Sequence, residues 1–88
     1  MIYKIYDYVI QDNIPEIRKL LVKGDDINGD CDRESTIIRA ISMRNIKMVK
    51  YLFVHGADIN MLNDCHCNAL MWACRFGKLN IVKYLILL

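Results

Sequence analysis

At 88 residues the chain has room for one small domain and none for the core of a large enzyme. Twelve Lys and Arg stand against ten Asp and Glu, a formal net charge of +2 with both signs scattered along the chain, so nothing steers it toward nucleic acid. The apolar stretch Tyr84 to Leu88 is far short of a membrane span, and Met1-Ile2-Tyr3-Lys4 does not open a secretion signal.

In chain order, the apolar spacing predicts six helices. The first runs near 3 to 11. The second, near 15 to 23, opens at Pro15, where a first-turn residue has no intrahelical use for its amide hydrogen. It ends before Gly24, which adopts the left-handed conformation of a helix C-terminus without strain. After a polar loop at 24 to 34, helices follow near 36 to 43 and 46 to 54. In the latter, Ile46, Val49, Leu52 and Phe53 fall at i, i+3, i+6 and i+7, one stripe that requires a neighbouring helix to cover it. Gly56 closes this helix as Gly24 closes the second, and a polar loop at 56 to 67 leads to helices near 69 to 76 and 79 to 87.

These helical hairpins repeat. A shift of 33 residues lays Ile46 to Phe53 on Leu79 to Ile86, with Val-Lys-Tyr-Leu recurring identically and Ala40 falling on Ala73. A shift of 32 lays Ile17 to Asn28 on Val49 to Asn60. A fixed period of this size marks a stacked repeat array. The expected units are about 1–28, 29–61 and 62–88, within a single domain spanning 1–88.

On these residues the chain resembles the ankyrin repeat family over essentially its whole length. The family's Gly-Ala-Asp-Val-Asn loop stands here as Gly56-Ala57-Asp58-Ile59-Asn60 and, less well, as Gly24-Asp25-Asp26-Ile27-Asn28. Its Thr-Pro-Leu-His-x-Ala helix opening falls on Ser35-Thr36-Ile37-Ile38-Arg39-Ala40 and Asn68-Ala69-Leu70-Met71-Trp72-Ala73, which keep the Leu/Ile and Ala positions and lose Pro and His. The loop glycine before the opening is replaced by Arg33 and His66. A tetratricopeptide array has a similar period, about 34 residues, but the Gly-Ala-Asp-Ile-Asn loop argues against it. Thirteen isoleucines against four alanines, with Ala69-Leu70-Met71-Trp72-Ala73, also resemble the ankyrin proteins of large DNA viruses.

The resemblance implies an all-α solenoid of about three helix-turn-helix units, acting as a non-catalytic protein-protein interaction module through its loop tips and the concave face of its first helices. The partner-facing residues would be Asp30, Asp32, Arg33 and Glu34 at one tip and Asn63, Asp64, Cys65 and His66 at the next, bordered by Ser42, Met43, Arg75 and Phe76. The alternative is a structural segment or fragment of a longer array with no independent partner. A protein partner is expected, not nucleic acid or membrane, in an intracellular compartment: the cytoplasm, and a host cell's cytoplasm if the viral likeness holds.

Other chemistries find less support. Cys65-His66-Cys67, with Cys31 one loop earlier and His55 nearby, could ligate zinc, but Cys-x-Cys without a second pair is poor spacing for a closed tetrahedral site. No nucleophile, base and orienting group converge in a familiar motif, so no catalytic residue, metal or cofactor is expected. The four cysteines are expected as free thiols, with Cys74 a buried packing residue. Trp72 reads either as a partner anchor or as inter-repeat packing against Ile38 or Met43, and His55 as a residue that meets the last carbonyls of its helix. Ile86-Leu87-Leu88 ends an apolar helix with no polar segment after it, so the third unit is read as incomplete and able to self-associate.

Overall fold

The computed structural model describes residues 3–29, 34–76 and 78–87. Six helices form, α1 (Ile5–Ile10), α2 (Ile14–Val22), α3 (Thr36–Ser42), α4 (Ile46–Val54), α5 (Ala69–Arg75) and α6 (Leu79–Ile86). Among the described residues there is no strand, and no helix is long and apolar enough to cross a membrane.

Local chemistry sets the helix ends. Ser35 and Asn68 cap α3 and α5, their side-chain oxygens accepting from the amides of Ile38 at 3.4 Å and Met71 at 3.0 Å. Before α2 and α4, Asn13 and Asn45 accept in the same way from Glu16 at 3.3 Å and Met48 at 3.1 Å. Gly24 and Gly56 end these two helices with φ of 97° each, the left-handed region expected of them. Lys78 holds the equivalent place before α6 and makes no side-chain cap bond. Replacing it as Lys78→Asn is expected to stabilise the chain by about 0.5–2 kcal/mol. The gain would be read as a higher urea midpoint at unchanged m; an unchanged midpoint would mean that α6 does not begin at this residue.

The hairpins stack through their first helices, α1 on α3 on α5, while α4 and α6 meet less closely behind them. Small buried residues, Thr36, Ala40, Ala69 and Ala73, keep the first helices near one another. The Thr36 hydroxyl, out of solvent, donates to the Ile27 carbonyl at 2.6 Å and so is satisfied. Around this row lies an aliphatic core that includes Ile17, Ile37, Ile38, Ile41, Met48, Leu52 and Ile81. The loops are tied along the stack as well. Asp26 and Asp58 accept from the amides of Asn28 and Asn60, and the Asn28 side chain in turn accepts from the Asp58 amide at 2.7 Å.

The two ends of the stack differ. Positions Thr36 and Ala40 correspond to Lys4 and Tyr8 one unit earlier and to Ala69 and Ala73 one unit later. The first unit thus replaces small residues by polar-ended ones, and the Tyr8 ring is met edge-on by Tyr3 at 5.6 Å. At the other end the relation reverses. Ile37, Ile38 and Ile41 are fully buried, whereas their equivalents are Leu70, 37% exposed, Met71, 51% exposed, and Cys74, also exposed. The expectation of a buried Cys74 is therefore corrected: among the described residues no helix covers its side of α5.

Candidate functional site

On the first helices Arg39 and Trp72 stand at equivalent positions, 33 residues apart, and Tyr6 of α1 reaches toward Arg39. The Tyr6 hydroxyl donates to Glu34 Oε1 at 2.8 Å and accepts from Arg39 Nε at 2.9 Å. Arg39 Nε also lies 2.8 Å from the same carboxylate oxygen, and its guanidinium sits 5.6 Å from the Tyr6 ring centre. Burial raises the Tyr6 hydroxyl above its usual pKa, and the Tyr6 hydrogen bond foremost holds Arg39 above its own. Arg39 and Glu34 thus offset each other, so the pair presents little net charge.

Trp72 is organised differently. Its Nε1 donates to Ser42 Oγ at 2.7 Å, and the Ser42 hydroxyl donates to the Ile38 carbonyl at 3.0 Å. The Phe76 ring stands edge-on to the indole at 5.1 Å, and the Arg75 guanidinium lies 5.7 Å from its centre. Met43, 38% exposed, and Phe76, 37% exposed, add apolar surface at the ends of α3 and α5. Ser42, Arg75 and Phe76, three of the four expected border residues, thus surround one half-buried indole, and the side chain that orients it is Ser42, which apolar spacing alone does not single out.

The loop tips give a mixed result. Asp30, Asp32 and Arg33, with Cys31, lie outside the described residues. Glu34 is half-buried and engaged with Tyr6 and Arg39. Asn63 is a correction: it is only 6% exposed. Its Oδ1 accepts from the amides of Cys65 at 2.9 Å and Cys67 at 3.0 Å, and its own amide donates to the Cys67 carbonyl, so the loop folds around it. Asp64, Cys65 and His66 remain exposed at the tip, His66 in left-handed backbone with φ of 60° where the loop glycine is missing. His55 Nδ1 lies 2.8 Å from the Tyr51 carbonyl at the end of α4. The Cys67 thiol is directed at the Cys65 carbonyl, and no three His, Cys, Asp or Glu side chains gather among the described residues.

One signal was present in the sequence but concealed by the overall balance. Residues 1–35 hold five Lys and Arg against eight Asp and Glu; residues 36–88 hold seven against two. The charges that look scattered are segregated along the stack, so the Trp72 region lies in its basic part.

A comparison with family models finds a match to ankyrin repeats, in three copies, over residues 6–87. No curated protein matches the chain significantly.

Proposed function

Because the chain belongs to the ankyrin repeat family, whose repeats are generally protein-protein interaction modules and typically non-catalytic, we propose that it binds a partner protein on its concave first-helix row and loop tips. The reading rests chiefly on Trp72. A large aromatic held by a hydrogen bond and edge contacts loses little freedom on binding, and this residue type is enriched where interfaces concentrate their energy. The proposed face comprises Ser42, Met43, Asp64, Cys65, His66, Arg75 and Phe76, with Glu34 at its margin and Asp30, Asp32 and Arg33 as the first tip. Asn63 is left out because it serves the loop.

Replacing Asp64, His66 and Arg75 together is expected to change stability by no more than about 0.5 kcal/mol. The same variant should lose the partner that the wild-type chain captures from a lysate of its natural host. Unfolding, or capture as strong as before, would remove this face from consideration.

A second reading, a structural segment of a longer array, is favoured by the open side of α5. The same apolar side would drive self-association of the isolated chain. The isoleucine-rich composition adds the reading that the chain serves a large DNA virus and meets its partner in host cytoplasm.

A further inference from the structure

We propose that the patch formed by Trp72, Phe76 and Met43 with Arg75 and Arg44 takes an acidic segment of a partner protein, in which carboxylates flank a large apolar side chain; this rests on the concave-face reading above. The cations decide it. Arg39 is matched by Glu34, but neither Arg75 nor Arg44 has a carboxylate partner among the described residues. Arg75 lies beside the indole, and Arg44 stands in the turn two residues beyond the serine that orients it. Asp58 and Asp64 are the only acids in residues 36–88, and Asp58 accepts from the Asn60 amide; from the first unit Asp12 reaches the Asn45 side chain beside Arg44, so Arg75 at the indole carries most of the attraction. An approaching anionic peptide is therefore attracted and a cationic one repelled.

The apolar part of the patch supplies what charge alone does not. Met43 and Phe76 flank a ring whose polar edge is already satisfied by Ser42, leaving hydrocarbon surface for an apolar side chain. Single-stranded nucleic acid is the other polyanion that stacks on aromatics, but it needs cations along a continuous track. Here Lys47, Lys50 and Lys83 sit on α4 and α6, behind the first-helix row, Lys50 lies over the Tyr84 ring, and Lys78 alone adds to Arg44 and Arg75 at the helix ends.

The chain's only tryptophan is the reporter. The probes are a short synthetic peptide with glutamates flanking a central Phe-Leu, its twin with every Glu replaced by Lys, and an oligothymidylate. The glutamate peptide is expected to shift Trp72 emission and to bind at least about tenfold more tightly than the lysine twin and the oligonucleotide, with affinity falling as salt is added. Binding should weaken about tenfold or more in a variant carrying Arg75→Glu and Arg44→Asn, the asparagine suiting the left-handed backbone at that residue. Labelled-peptide anisotropy then follows a Trp72→Ala, Phe76→Ala variant, with circular dichroism reporting its fold. Loss there together with loss in the arginine variant supports the proposal. If the aromatic variant loses the peptide while the arginine variant does not, the acidic preference is wrong and the concave face stands. If neither loses it, the face itself is wrong. Equal binding of the lysine twin, tighter binding of the oligonucleotide, or no binding of the glutamate peptide overturns the proposal.

Discussion

Leu52→Ala is expected to destabilise the chain by about 2 to 5 kcal/mol. Leu52 lies in the middle of α4, fully out of solvent in the aliphatic core, and its equivalent one unit later, Leu85, is also buried. Truncation removes its packing and leaves a cavity that the surrounding core closes only in part. The total stability of a small domain is only about 5 to 15 kcal/mol, so the variant should be substantially unfolded at ambient temperature. Urea denaturation followed by circular dichroism measures it. A loss well below about 1 kcal/mol would show that this face of α4 is turned to solvent, and with it the register of all three hairpins would be mistaken.

The second large effect concerns the far end of the stack. Appending a designed helical hairpin with small residues toward α5 and a polar outer side should bury Leu70 and Met71 as Ile37 and Ile38 are buried now. Full burial of such a side chain contributes about 1.5 to 3 kcal/mol. With Leu70 37% and Met71 51% exposed, the two together should add about 2 kcal/mol, which for a chain of this size raises Tm by roughly 10 °C. Two readouts accompany the melting curve. Alkylation of Cys74 should slow, and sedimentation at several concentrations should show association in the original chain and a monomer in the extended one. A stable monomer whose Tm the added hairpin leaves unchanged would mean that this side of α5 is already closed.

The helices were legible in the sequence because their signals are local. Apolar spacing, Pro15 and the glycines at 24 and 56 placed every boundary within two residues, the largest error being the start of α1 at Ile5 and the rest single terminal residues. The 33-residue period carried the architecture. What escaped depends on where individual side chains turn, within a loop as well as between repeats. Cys74 looks like core because Ala73 beside it is core, but adjacent helical residues point about 100° apart and only one of them meets α3 or α6. Asn63 looks like a tip residue because it precedes Asp64, yet its amide oxygen is what closes the loop. Glu34 reads as a partner-face residue until the tyrosine and arginine that occupy it are seen, one 28 residues away on α1 and the other just ahead on α3. Three of the tip residues, Asp30, Asp32 and Arg33, lie outside the described residues.

The missing cap at Lys78 and the uncovered side of α5 fall on the same hairpin. In a quasi-one-dimensional stack each unit is held by its own contacts and those of its neighbours, so this hairpin, which among the described residues meets only the second and has an uncapped second helix, is expected to open before the second. Its amides should then exchange with solvent sooner than those of α3 and α4. Trp72, the anchor of the proposed face, rides on that less protected unit. A partner that grips the indole in this held arrangement binds only the closed hairpin, so its arrival is expected to slow amide exchange in α5 and α6.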